Sequence, residues 1–168
     1  MLNWSIEKKV LELKYAWAIS RNTSDTKTNL FVTVSDGVHS GIGEAAPNVR
    51  YNESPDDLES QFGTFLKEKV DQLTTLDELG ELLNKQKLSN ALRFAIESAF
   101  VHYLSGKQKK RVYDFLDLKP PGSIYTAYSI PIMEIGNSPN VKSRFPLPAL
   151  TLLFIPSRLQ VFVLDPIH

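Results

Sequence analysis

No cysteine occurs among the 168 residues. Disulfides, thiolate nucleophiles and cysteine-ligated zinc are therefore excluded, and the composition fits a reducing compartment. Neither charge is in excess, because nineteen basic and nineteen acidic residues cancel. Nucleic-acid binders carry a basic surplus, so that class is set aside. No apolar run reaches the roughly 20 residues of a membrane-spanning helix. The greasiest stretch, residues 147–164, is broken by Pro148, Pro156, Arg158 and Gln160. The first twelve residues, MLNWSIEKKVLE, hold no apolar segment of signal-peptide length. A soluble, cytoplasmic protein with no nucleic-acid or membrane partner is expected. The chain is also too short for a complete (β/α)8 barrel, which needs about 200 residues or more. What is present is 42% hydrophobic and 23% charged, a balance that folds around a core.

The N-terminal third alternates like strands. Trp4, Ile6 and Val10 share one face, Leu11 and Leu13 the other, with Lys8 and Lys9 as a weak point. Residues 16–28 (AWAISRNTSDTKT) are rich in Ser, Thr and Asp and read as a loop. Residues 29–35 form a β-branched strand, and Asp36-Gly37 is a hairpin signal that returns the chain through residues 38–44. Helices follow. Ser54-Pro55-Asp56-Asp57 supplies a cap, a proline at the first helical position and early acids. Leu58, Phe62, Phe65, Leu66 and Val70 form its apolar face. Thr75 and Glu78 have capping-box spacing, ahead of Leu79, Leu82 and Leu83. Ser89 is placed to cap a third helix, where Ala91, Ala95 and Ala99 form a seam that lets another element approach closely. Residues 112–116 allow one more turn, and Ile124 to Ile132 reads as a further strand. Residues 138–168 differ in character, with four charged residues in 31, five of the ten prolines, no glycine and no helical or strand period.

Few residues carry a chemical signature. Gly41-Ile42-Gly43-Glu44 loosely fits a dinucleotide fingerprint, but Glu44 would repel phosphate and Pro47-Asn48 stands where a helix should begin. The glycines read instead as easing a bend at a strand end. The basic run of Lys107, Lys109, Lys110 and Arg111 follows a helix end, where cations suit the dipole. His39, His102 and His168 lack metal-ligand spacing and read as surface or boundary residues. Asp56 and Asp57 are adjacent, so they point apart and read as helix-start acids rather than a catalytic pair. Arg21, in the polar loop, is suited to pairing with a carboxylate through two parallel hydrogen bonds.

The order of these pieces resembles the enolase superfamily. The resemblance rests on LELKYAWAISRNTSDTKTNLFVTV, on DGVHSGIGEAAP, which is similar to the signature closing that family's meander, on the Ala-rich SNALRFAIESAFVHYLSGKQKKRVYDFL, and on TAYSIPI, which looks like a first barrel strand. Together they cover about residues 1–136, and the pattern looks most like the muconate-lactonizing branch and its dipeptide epimerases. The resemblance implies an α+β fold, a three-stranded antiparallel meander followed by a helical bundle. It implies a capping domain over residues 1–122, a remnant of the first barrel strand over 123–136, and an atypical proline-rich tail over 137–168. In full-length relatives a Mg²⁺ held by three carboxylates stabilises an enediolate, while two lysines remove and return the proton alpha to a carboxylate. The capping domain excludes water and reads the substrate side chain. Residue by residue, the resemblance assigns substrate contact to Arg21, a place in the second specificity loop (Asn48 to Glu53) to Tyr51, and a position near substrate to Ser129.

This chain carries no match to the relatives' catalytic lysines or metal carboxylates. Lys67-Glu68-Lys69 has the right letters but falls on the first helix of the cap. The expectation is a dipeptide-reading cap with no catalytic residue and no cofactor of its own, inactive unless a barrel is supplied, including by a separate chain. The tail reads as a frameshifted, truncated or divergent ending. The alternative is a binding module whose apolar tail docks on a partner or drives homo-oligomerisation.

Overall fold

The computed structural model describes residues 1–19, 22–120, 122, 124–129, 150–155 and 158–167. Contacts divide the chain into two units, Met1–Leu11 with Thr28–Lys119, and Glu12–Lys27 with Pro120–His168. The first carries the α+β core. Strands β1 (Asn3–Ile19), β2 (Asn22–Ser35) and β3 (Ser40–Ala45) form a sheet in that order. Helices α1 (Pro55–Phe65), α2 (Leu76–Lys85), α3 (Asn90–Lys107) and α4 (Val112–Phe115) follow.

The β2–β3 pairing is antiparallel, from Leu30 opposite Ala45 to Ser35 opposite Ser40. Alternation along β2 buries Leu30, Val32 and Val34 completely. Against them lie Leu58, Phe62 and Phe65 of α1, Leu79 and Leu83 of α2, and Leu92, Ile96, Phe100 and Tyr103 of α3. Each such side chain stabilises the fold by about 1.5–3 kcal/mol when fully buried. Trp4 closes one end of this core. Its ring meets Phe65 edge-on at 5.2 Å, and its indole N–H donates to the Val70 carbonyl at 3.0 Å. Lys8, the expected weak point of β1, instead ties the strand to the start of α1 through Asp56 at 2.6 Å and Glu59 at 2.9 Å.

Capping follows local chemistry at two helices. Ser54 accepts from the Asp57 N–H, with Pro55 at the first helical position. Thr75 and Glu78 complete the reciprocal capping box of α2. At α3 the expectation fails. Ser89 holds the cap position, but its hydroxyl makes no cap bond. Gln61 engages Ser89 instead, and the Glu53 carboxylate accepts from the Ala91 N–H.

The structure corrects four further readings. Residues 16–19 and 22–28, expected as loop, are strand, because β1 runs to Ile19 and β2 starts at Asn22. Thr23, Thr26 and Thr28 are β-branched and suit a pleated strand despite their polarity. Helix α1 stops at Phe65, so Val70 reaches the core from a separate 3₁₀ turn, and Lys67-Glu68-Lys69 follows α1 rather than lying on it. The hairpin after β2 has four loop residues, Asp36 to His39, rather than a two-residue turn. The apolar stretch near the C-terminus, without visible period, contains β5 (Leu150–Ile155) and β6 (Arg158–Ile167).

In the second unit, β4 (Ile124–Ser129), β6 and β5 form a sheet in the order β4-β6-β5. Strand β4 pairs antiparallel with β6. Residues 130–132 of the expected strand lie outside the described residues.

Candidate functional site

The geometry around the site starts with two glycines. Gly41, Gly43 and Ala45 form the buried face of β3. They press against the alanine seam of α3, backbone to backbone. A Cβ on Gly43 would collide with the Ala95 carbonyl oxygen and stand 2.9 Å from Ala95 C and Ala99 N. A Cβ on Gly41 would collide with the Ala99 carbonyl oxygen and the Tyr103 nitrogen. These glycines do not ease a bend, as the sequence suggested. They permit strand–helix contact too close for any side chain.

That contact is clamped at both ends. At the hairpin, the Asp36 carboxylate accepts from the backbone N–H groups of His39 at 2.7 Å and Val38 at 2.9 Å. Its other oxygen accepts from the Tyr103 hydroxyl at 3.0 Å. These bonds, the His39 N–H foremost, hold Asp36 far below the usual carboxylate range. Gly37 takes the left-handed φ of 90° that the turn requires. Along the edge of β3, the Ile42 N–H donates to His102 Nδ1 at 3.1 Å. His39 is thus half-buried and His102 exposed, the latter as an edge cap, while His168 lies outside the described residues.

At the other end, β3 leads into a 3₁₀ turn, Val49–Tyr51, capped by Asn48. Glu53 braces this turn onto α3. It is only 6% exposed. One carboxylate oxygen accepts from Asn48 N–H at 3.1 Å and the other from Ala91 N–H at 3.2 Å. The result is an open cleft of about 630 Å³ between the end of β3 and the start of α3. Glu44, Asn48, Tyr51, Glu53, Asn90 and Phe94 line it. Tyr51 is 70% and Phe94 65% exposed. Glu44 is fixed by a 2.6 Å bond from the Asn29 amide, and Asn29 is itself buried.

Of the three residues assigned to substrate, Tyr51 lies on this cleft. Ser129 ends β4 in the second unit, opposite Phe162 of β6. Arg21 lies outside the described residues. Sequence reasoning missed Glu44, Glu53, Asn90 and Phe94 as cleft residues. Phe94 did leave a signal, since it is a large apolar side chain off the core face of an otherwise periodic helix. The residues present do not fit a Mg²⁺ site: among the described residues no three His, Asp or Glu side chains are grouped to hold a metal. Also among the described residues, no helix is long and apolar enough to cross a membrane.

No known family pattern and no curated protein matches the sequence. Solved structures do match the fold. An L-Ala-D/L-Glu epimerase aligns with a TM-score of 0.62 at 21% identity, covering 75% of this chain and 36% of that one. An enolase family member from Agrobacterium tumefaciens with homology to dipeptide epimerases, solved with sodium and L-Ala-L-Glu, gives a TM-score of 0.68 at 22% identity. It covers 80% of this chain and 40% of that one. A muconate lactonizing enzyme from Pseudomonas fluorescens, complexed with muconolactone, gives 0.59 at 20% identity, covering 73% and 35%. The chain therefore spans well under half the length of the enzymes it resembles. Its meander and helical bundle have the fold of the enolase-superfamily N-terminal domain, as found in dipeptide epimerases and muconate lactonizing enzymes.

Proposed function

We propose that this chain is the substrate-capping domain of a dipeptide epimerase-like enzyme in the cytoplasm. In this reading it presents the Tyr51 loop to a dipeptide and performs no proton transfer alone. The observation that carries the reading is the fold match over 75–80% of this chain, which reaches only 36–40% of the two epimerase-type structures. The site geometry is consistent with it. A cap must hold its substrate-facing loop stiffly, because misplacement of about 1 Å lowers rates steeply. Here Glu53 and the glycine–alanine contact fix that loop to a helix. Removing and returning the proton alpha to a carboxylate, together with the Mg²⁺ that full-length relatives employ, belongs in this reading to a barrel supplied in addition.

The test incubates the purified chain with Mg²⁺ and L-Ala-L-Glu in D₂O and follows the α-proton by NMR. No deuterium incorporation above the uncatalysed rate is expected. Sustained exchange by this chain alone contradicts the proposal.

A further inference from the structure

The cleft beside Tyr51 has a chemical bias that its position does not explain. Two carboxylates and two exposed aromatic rings line it, and none of its lining residues is basic. We propose that the cleft binds a cationic headgroup, an alkylammonium or guanidinium, on a small ligand. The inference deepens the capping-domain reading, and its placement of substrate at this cleft rests on that reading.

The two acids have different tasks. Both oxygens of Glu53 already accept backbone N–H bonds. One of those N–H groups belongs to the first turn of α3, so Glu53 answers the helix end that would otherwise attract an anion. Glu44 is different. One of its oxygens is held at 2.6 Å by Asn29, and no ion pair engages it among the described residues. Asn29 is only 6% exposed, and its own Oδ1 has no partner among the described residues. A carboxylate anchored from behind by a buried amide keeps its position and presents its remaining lone pairs forward.

The rings supply the second half of the argument. Tyr51 and Phe94 contribute to the same concavity while remaining largely exposed. Aromatic faces attract cations, and a fixed carboxylate adds a charge-assisted hydrogen bond. A neutral apolar ligand would desolvate the Glu44 oxygen that Asn29 does not engage. An anionic headgroup would meet two carboxylates. A cation uses both features at once.

The experiment titrates the full ¹⁵N-labelled chain with L-Ala-L-Arg, with the neutral near-isostere L-Ala-L-citrulline, with L-Ala-L-Glu and with agmatine. The readout is the amide shifts of Glu44, Tyr51, Ala91 and Phe94. L-Ala-L-Arg is expected to bind at least about tenfold tighter than L-Ala-L-citrulline, the contribution of one charge-assisted bond. Glu44→Gln keeps an acceptor for Asn29 and should abolish that difference. Its circular dichroism spectrum confirms that the fold is retained. Equal affinity for the arginine and citrulline dipeptides overturns the proposal, and if L-Ala-L-Glu still shifts Tyr51 the capping reading survives. Agmatine shifts at the cleft without any dipeptide shifts support the cation site and count against the capping reading. An unchanged preference for arginine in Glu44→Gln also overturns the proposal.

Discussion

Gly43→Ala is a one-methyl change whose effect follows from the close packing of β3 on α3. The added Cβ stands 2.9 Å from Ala95 C and Ala99 N, besides its collision with the Ala95 carbonyl. Non-bonded contacts to carbon are comfortable at about 3.5–4.0 Å, so relieving the 2.9 Å contacts alone separates strand and helix by roughly 0.6–1.1 Å, and the carbonyl collision demands more. The obstructing atoms are backbone, so no rotamer change relieves them. Overpacking costs about 1–3 kcal/mol and occasionally more, and this site should reach the top of that range. A loss of about 3 kcal/mol is a large part of a typical 5–15 kcal/mol stability. Gly63→Ala is the internal control. Gly63 lies in α1 with nothing within 4 Å of an added Cβ. That substitution should stabilise by about 0.5–1 kcal/mol through helix propensity. Urea unfolding followed by circular dichroism measures both. If Gly43→Ala is as stable as the parent chain, the strand–helix contact is not as close as described and the reasoning fails.

Other outcomes follow from individual contacts. Glu53→Ala strips acceptors from the Asn48 and Ala91 N–H groups and should cost about 1–3 kcal/mol, with faster hydrogen exchange at Tyr51 than in the α2 amides. Trp4→Phe removes the donor to the Val70 carbonyl and should cost about 1–2 kcal/mol in thermal or urea unfolding. Asp36 has its folded pKa depressed, so its contribution is present above the unfolded value near about 3.9 and is lost as pH falls toward the folded value. Stability measured from pH 6 down to pH 2 should therefore fall less steeply in Asp36→Asn than in the parent, which starts higher. Thr75→Ala should lower stability by about 1 kcal/mol by opening the capping box of α2.

What the sequence disclosed was local. The caps at Ser54 and Thr75 need only neighbours three residues away, and both form. The alanine seam at 91, 95 and 99 was readable from helical spacing, and so was its consequence, a close neighbour. The neighbour's identity was not, because a glycine in a strand signals a bend and a close approach equally well. Only the pairing of β3 against α3 separates the two. Glu53 caps a helix 38 residues downstream, and nothing in a polar loop announces such a partner. The error at residues 16–28 came from weighing polarity above β-branching. Glu44 was weighed only against phosphate, so its fitness for a cation went unread. Tyr51 was placed on a substrate-facing loop by resemblance, and the structure puts it on an open cleft. The cleft's other ring, Phe94, was signalled only by its place off the core face of α3.

The account's central claim separates reading a substrate from converting it. Two matched samples of ¹⁵N-labelled chain with Mg²⁺ and L-Ala-L-Arg test the two halves, by amide shifts at Tyr51 in H₂O and by deuterium at the dipeptide α-carbons in D₂O. The account predicts shifts that saturate at the cleft while the α-protons persist at the uncatalysed rate. Rapid loss of an α-proton, or a silent Tyr51 at saturating dipeptide, would contradict it.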